Sequence, residues 1–271
     1  MVVADGFGQD IPDGVPCPDT PFLRRMNQAI RLSDTEQDSL FALEAHAETH
    51  VKGAELVRPG DRNTRPFIVR SGFVILSRQN ANGQRMIIDL LIPGDIGNAR
   101  AIVLPEADML YAALNDIVVS EVPLEVYRKL MIDHPRPSTA LLWIGAISRS
   151  LLAERLYSIG RRNGYQRVGH FLLELLTRLE QVGLAEGPTF RAPLTLAILG
   201  DLLGLTPEHV SRILQRLRRD GHLISKRDHW HITDRTRMAQ VCDFDPGYLH
   251  MSHGKGAPEA TSSRQALPGH A

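Results

Sequence analysis

The sequence predicts an α+β chain: a small β barrel or roll, then one long helix, then a winged helix-turn-helix. Three observations carry this prediction. Short β-rich runs between residues 67 and 122 are punctuated by glycines and prolines about every ten residues, as in small barrels. Residues 138–159 contain no proline and a single glycine, with apolar residues at steps of three and four. Two apolar-periodic segments within 195–217 are joined by a short turn containing Gly204.

The chain has 271 residues, 43% apolar and 23% charged, enough to build real cores and to exclude a disordered chain. No run of about 18 uncharged apolar residues occurs, so no transmembrane helix and no membrane partner are expected. The first residues carry Asp5, Asp10 and Asp13 and lack a basic start followed by an apolar block. No signal peptide is therefore expected, and the expected compartment is the cytoplasm. Cys17 and Cys242 are the only cysteines, too few for a disulfide framework or a four-cysteine metal or iron–sulfur site. Lys+Arg and Asp+Glu balance at 31 each, yet residues 161–240 hold 13 Lys+Arg against 8 Asp+Glu. A basic C-terminal third inside a neutral chain points to a polyanionic partner for that part alone.

Taken in order, residues 1–20 and 246–271 lack apolar periodicity and read as tails. Residues 23–43 read as helical, with Ser33 and Asp34 capping the stretch that ends at Leu43. Phe67-Ile68-Val69, Phe73-Val74-Ile75-Leu76, residues 85–92 and Ile117-Val118-Val119 with Glu121-Val122 read as strands. Asn82-Gly83 between two of them signals a hairpin whose two turn positions tolerate positive φ. Pro93-Gly94-Asp95 closes a strand, and Pro135 and Pro137 end the β module.

In residues 138–159, Leu141, Ile144, Ile147, Leu151, Leu152, Leu156 and Ile159 form one wide stripe on a helix about 33 Å long at 1.5 Å per residue. Such a helix must cover the β module, pair with a second copy, or do both. Both are expected here, with Leu141, Ile144, Ile147, Leu151 and Arg155 at a dimer interface. Residues 160–164 read as a hinge and residues 171–176 as a second amphipathic helix, broken at 183–188. The units expected are 21–136, 137–160 and 161–245.

The most informative stretch is 195–217. Leu199, Leu202 and Leu203 face inward from a first short helix, and Gly204 permits the left-handed conformation that ends it. Thr206 caps the second helix, Pro207 suits its first turn, and Val210, Ile213, Leu214 and Leu217 form its buried face. Glu208, Ser211, Arg212 and Arg216 must then point outward. A guanidinium can donate twice to guanine and a carboxylate can accept from cytosine, so Glu208, Ser211 and Arg212 are the candidate base readers. Thr206, His209, Arg216, Arg218 and Arg219 are candidates for phosphate contacts. Gly221-His222-Leu223-Ile224 and His229-Trp230-His231-Ile232 flank Ser225-Lys226-Arg227-Asp228, a β-hairpin with a basic tip that adds Lys226 and Arg227. His209, His222, His229 and His231 crowd the same face. No Ser-His-Asp arrangement, phosphate-cradling glycine loop or HExxH occurs, so no catalytic residue is assigned and no enzyme is expected.

With these residues in place the chain resembles the CRP/FNR family of bacterial transcription regulators over roughly residues 23–241. In the first half the resemblance rests on Arg58-Pro59-Gly60-Asp61, Ser71-Gly72, Pro93-Gly94-Asp95 and Ala113-Leu114-Asn115-Asp116. In the second it rests on Gly160-Arg161-Arg162, Arg167 ahead of Phe171-Leu172-Leu173, the helix-turn-helix and the wing. It implies a double-stranded β-helix (jelly-roll) sensor domain, a long dimerisation helix and a C-terminal winged helix-turn-helix. Glu208, Ser211 and Arg212 match the E-x-x-S-R pattern of the FNR-like recognition helix, implying a TTGA-type half-site repeated as a palindrome. The implied partners are double-stranded DNA, a second copy of the chain and RNA polymerase.

The sensor half departs from the family pattern. The cyclic-nucleotide cassette has Gly-Glu and, about ten residues on, Arg-Ser. Here Gly97 is followed by Asn98, and Ala107 and Asp108 fall near the Arg-Ser positions, where Asp108 would repel a phosphate. Arg100 is the available substitute, and Gly97, Asn98, Arg100 and Asp108 mark a candidate effector pocket. No cofactor is expected: neither cyclic nucleotide, nor haem or another metal at His46 and His50, nor an iron–sulfur cluster with Cys17 as the one cysteine of the first half. Cys242 is read as a passive thiol, with an oxidation sensor as the alternative. Two other functional readings remain: the same DNA-binding fold with an effectorless barrel, and a small-molecule-binding regulatory module without specific DNA readout.

Overall fold

The computed structural model describes residues 19–250, so Cys17 and most of both expected tails lie outside the described residues. The helical start is two helices, the second capped where the sequence placed a cap. Thr20 caps α1 (Pro21–Ala29), and Ser33 caps α2 (Asp34–Phe41) in a capping box with Glu36, followed by a 3-10 turn at Ala42–Glu44. Residues 30–33 separate the two helices, and Ser33 starts the second as the sequence indicated.

Eight strands follow: β1 (Ala47–His50), β2 (Glu55–Val57), β3 (Phe67–Ser71), β4 (Val74–Gln79), β5 (Arg85–Leu91), β6 (Ile96–Gly97), β7 (Leu110–Ala113) and β8 (Ile117–Glu121). They make two four-stranded antiparallel sheets, ordered β1-β8-β3-β6 and β2-β7-β4-β5. This is the expected jelly roll. Val57, Phe67, Val69, Val74, Leu91, Tyr111 and Val119 fill its interior, with the rings of Phe67 and Tyr111 edge to face at 5.5 Å.

The Asn82-Gly83 hairpin is present with a different turn. Gly83 has φ 79° but Asn82 does not take positive φ. Asn80 pairs with Gln84, leaving a three-residue loop in which Asn80 Oδ1 accepts from the backbone N–H of Asn82 and Gln84, both at 3.0 Å. Asn80 thus does locally what a second left-handed residue would otherwise do.

α3 (Leu124–Asp133) and α4 (Pro135–Arg161) then run back along the barrel. Pro135 and Pro137 do not precede the long helix, as the sequence suggested, but occupy its first turn, where a missing N–H leaves nothing unsatisfied. At 27 residues α4 is about 40 Å long, and Gly160-Arg161 belong to its last turn rather than to a hinge.

α4 also corrects the expected dimer interface. Leu141, Ile144, Ile147, Leu151 and Arg155 are buried within this single chain, Ile144 at 4% and Leu151 at 3% exposure. A surface already spent on its own barrel and C-terminal module is not available to a partner. The exposed stripe is Leu142 (66%), Gly145, Arg149, Leu152 (52%) and Leu156 (72%), spaced by alternating steps of three and four.

The C-terminal module comprises α5 (Gly164–Gln181), β9 (Ala185–Glu186), β10 (Thr189–Arg191), α6 (Leu196–Leu203), α7 (Pro207–Arg219), β11 (Leu223–Lys226), β12 (His229–Ile232) and α8 (Arg235–Cys242). The wing strands join a four-stranded sheet, β11-β12-β10-β9. A 3-10 turn at Pro246–Leu249 buries Leu249 and sends Tyr248 Oη to Glu174 Oε2 at 2.8 Å, so the expected tail at 246 begins inside packed structure.

α5 is buried on nearly every side from Val168 to Leu179, His170, Glu174 and Arg178 included, because it lies between the two halves. One core runs from Ile75, Leu90 and Leu114 of the barrel through Leu172 and Leu176 to Leu199 and Val210 of the helix-turn-helix. Buried charge spans the same junction. Asp95 pairs with Arg25 of α1 at 3.0 Å and with Arg178 of α5 at 2.8 Å, and Arg178 also donates to Leu90 O at 3.0 Å. At the rim, Arg85 of β5 pairs with Asp201 of α6 at 2.7 Å. Among the described residues no helix is long and apolar enough to cross a membrane.

Candidate nucleic-acid interface and sensor cavity

The helix-turn-helix forms as its local chemistry requires. Thr195 caps α6, Gly204 ends it at φ 65°, and the Thr206 hydroxyl accepts from His209 N at 3.3 Å to start α7, with Pro207 in the first turn. Val210, Ile213, Leu214 and Leu217 are buried, so α7 is held by one apolar face. The opposite face is exposed at Glu208, His209, Arg212, Arg216, Arg218 and Arg219, with Ser211 half-buried beside them. Glu208 and Arg212 lie one turn apart. The backbone N–H of Glu208 itself, then the Thr206 hydroxyl, hold the Glu208 carboxyl below its usual range, so it is ionised at neutral pH.

The arginines of α7 are not equivalent. Arg212 and Arg219 have no ion pair among the described residues. Arg216 lies over the Tyr165 ring at 4.8 Å, with Asp220 3.6 Å from its Nε, and the Tyr165 hydroxyl donates to Asp220 at 2.9 Å. Arg218 donates to Ser225 Oγ of the wing at 2.8 Å, tying α7 to β11. Lys226 and Arg227 are exposed at the wing tip, where Arg227 takes φ 54°, an uncommon conformation for a long side chain. Asp228 beside them is bound by Arg191 at 2.7 Å, and that hydrogen bond keeps its carboxyl below the usual range.

Sequence reasoning missed Tyr165 and Asp220, which brace Arg216, and Arg237 of α8, which lines an open groove with Arg212, Arg216 and Arg219. Only a known fold brings these segments together. Two of the four histidines expected to crowd this face are not exposed on it: His222 lines the same groove but is buried, and His231 is half-buried with Nδ1 2.8 Å from Thr189 Oγ1.

Cys242 is fully buried against Gly169, and burial pushes its thiol up to about 12. It is therefore protonated and shielded, which removes the condition for an oxidation sensor. His170 is buried between Phe244 and Tyr248. Its Nε2 lies 3.1 Å from Glu154 Oε1, but Arg162 holds that carboxylate at 2.6 Å. Burial, then the Arg162 and Arg155 charges, push the imidazole down to about 3.

In the N-terminal half, a cavity of about 320 Å³ lies between the barrel and α4. Of the four residues expected around an effector, Asn98 and Arg100 line it. Gly97 faces the Phe67 ring, and Asp108 reaches in from a neighbouring recess to hold Arg100 at 2.9 Å. Asn98, with φ 52°, gives its side-chain amide to Arg65 O at 3.1 Å. Among the described residues no group of three or more His, Cys, Asp or Glu side chains is placed to share a metal ion, and His50 has Glu48 at 3.7 Å.

Comparison with known proteins agrees with this architecture. A family model described as a cyclic nucleotide-binding domain matches residues 48–134, and one described as a Crp-like helix-turn-helix domain matches residues 166–241; together they match more than half of the chain. The Fumarate and nitrate reduction regulatory protein of Vibrio cholerae serotype O1 is 27% identical over 195 residues, covering 72% of this chain and 78% of that protein. The protein of the same name from Escherichia coli K12 is 26% identical over 212 residues, covering 78% and 84%. The fold is shared with FixK2 from Bradyrhizobium japonicum, with TM-score 0.65, 24% identity and coverage of 72% of this chain and 96% of that one. A cyclic nucleotide-binding fold and a Crp-like helix-turn-helix, in this order and on one continuous core, make the chain a DNA-binding transcription regulator of the CRP/FNR family.

Proposed function

We propose that the protein acts in the cytoplasm as a homodimer that reads a TTGA-type palindrome and presents it to RNA polymerase. The observation that carries this reading is the exposed Glu208 and Arg212, with half-buried Ser211 beside them, at the start of a helix whose other face is buried. Arg212 donates to guanine, Glu208 accepts from cytosine, and Ser211 contacts the neighbouring base edge. Thr206, His209, Arg216, Arg218 and Arg219, with Lys226 and Arg227 of the wing, take phosphates and set the register.

Dimerisation is supported by the second stripe of α4. Leu142, Gly145, Arg149, Leu152 and Leu156 follow the 3.5-residue spacing of a two-stranded coiled coil and are left uncovered by the described residues. Pairing α4 with its two-fold mate sets the two α7 helices into successive major grooves about 34 Å apart.

The test is mobility shift with a TTGA palindrome against a scrambled site of equal composition, alongside light scattering. The wild type should be dimeric and prefer the palindrome. Leu152→Glu combined with Leu156→Glu should give a folded monomer that has lost that preference. A dimer surviving both substitutions moves the interface away from this stripe, and equal affinity for both DNAs removes the base-reading role.

A further inference from the structure

Between α4 and α5 the chain has only Arg162 and Asn163, both in extended conformation. Few residues of α4 approach α6 directly. Such a joint leaves the helix-turn-helix free to swivel on α4 unless other bonds cross it. The last carbonyls of any helix lack amide partners, and here two helix ends leave theirs close together. The N–H of Asn163 would continue α4 by bonding to Ile159 O, but it goes instead to Gln166 Oε1 at 3.2 Å in the capping box of α5. α6 stops at Leu203, where Gly204 turns the chain away through its left-handed conformation.

One side chain takes the carbonyls at both ends. From the first turn of α5, Arg167 donates through Nη2 to Ile159 O at 2.9 Å and to Arg162 O at 3.2 Å, and through Nη1 to Leu203 O at 2.7 Å. It is half-buried, and its charge meets the negative ends of two helix dipoles rather than a carboxylate. Only a planar group with several donors in fixed directions can span the two ends at once, and an ammonium is a single point of charge. Arg162 also ties the end of α4, by donating to Asp243 O at 2.8 Å beyond α8, but it makes no hydrogen bond or ion pair to α6 or α7.

We propose that Arg167 is a positioning residue for palindrome reading: by bonding the end of α4 to the end of α6 it fixes the angle between the pairing helix and the helix-turn-helix, and so sets the half-site spacing that the dimer accepts. This role rests on the palindrome-reading function proposed above. It needs no contact between Arg167 and DNA, because the guanidinium is spent on the two helix ends. One base pair added between the half-sites moves the second by about 3.4 Å and turns it by about 35°, a displacement that only a stiff joint penalises.

The experiment is mobility shift at fixed salt on TTGA palindromes whose spacers run from two base pairs shorter to two longer than the optimum, with a single half-site as control. The wild type is compared with Arg167→Lys and Arg167→Gln, and light scattering follows the dimer. The wild type should bind the optimal spacer about tenfold more tightly than spacers one base pair away. Both variants should bring that ratio to within about twofold, remain dimeric and bind the single half-site as the wild type does. A merely structural role would weaken every DNA by one factor and leave the ratio unchanged. Should Arg167→Gln fail to fold, Arg167→Lys, which keeps the charge and one set of donors, still reports the ratio. The proposal is overturned if the variants keep the wild-type spacing profile, or if single half-site and palindrome weaken together by the same factor. A wild type indifferent to spacing overturns palindrome reading itself, and this role with it.

Discussion

Arginine is used in opposite ways at the two ends of α5. On α7, Arg212 and Arg219 are exposed and make no ion pair among the described residues, and Arg216 and Arg218 are only steadied, by Tyr165 and by Ser225. At the junction with the barrel, Arg25, Arg155 and Arg178 are almost wholly removed from water and tied to Asp95 and Glu174. The first group keeps its hydrogen-bonding capacity for a polyanion. The second has spent most of it on joining modules. A guanidinium is therefore evidence of DNA contact only once its surroundings are known, and the contrast should appear in stability on one side and in DNA affinity on the other.

The largest effect is expected at the junction. Asp95→Ala leaves Arg25 and Arg178 buried without their shared carboxylate and should lower unfolding free energy by about 3–5 kcal/mol in urea titration. A loss below about 1 kcal/mol would mean that water reaches these groups and the contrast is false. On the DNA side, Arg212→Ala should leave stability unchanged and reduce affinity for the palindrome by about 1–3 kcal/mol, with little change for random DNA. An equal loss for both DNAs would make Arg212 a phosphate contact.

His170 gives a pH signature of the buried side. Its folded pKa, about 3, lies below the value near 6.5 of an unfolded histidine. Above pH 6.5 neither state carries the proton. Between 6.5 and 3 only the unfolded state does, so stability falls as pH falls, by at most about 1.4 kcal/mol per unit. His170→Phe, which can keep the stack with Phe244 and Tyr248, should flatten this slope in urea titrations between pH 7 and 5; an unchanged slope would place its origin elsewhere. The smallest effect belongs to Arg218→Ala, which should weaken all DNA alike and reduce the slope of log affinity against log salt by about one. A sequence-selective loss would assign it a base.

What the sequence showed plainly was what is local. The turn at Gly204, the Thr206 cap, the inward Val210, Ile213, Leu214 and Leu217 and the basic wing are all written in neighbouring residues, and the helix-turn-helix followed directly. Strands β1, β2, β6 and β7 were not legible, because segments of two to four residues are held by partners far along the chain. On α4 the periodicity contained two stripes, at 141-144-147-151 and at 142-145-149-152-156, and spacing alone cannot say which one the barrel covers. The Asp95 hub was hidden for another reason. In sequence Arg25 and Arg178 look like solvated charges on amphipathic helices, and only the docking of α1 and α5 onto the barrel buries them.

In the proposed dimer, two α7 helices, fixed relative to one another by paired α4 helices, read two half-sites. Inserting five base pairs, half a helical turn, between the halves of the TTGA palindrome tests this most directly. Affinity measured by mobility shift at fixed salt should drop to that of random DNA, and a further five-base-pair insertion should restore the facing of the two halves without restoring their 34 Å separation. If the five-base-pair insertion leaves affinity unchanged, the two helices do not act as one rigid pair and the account is contradicted.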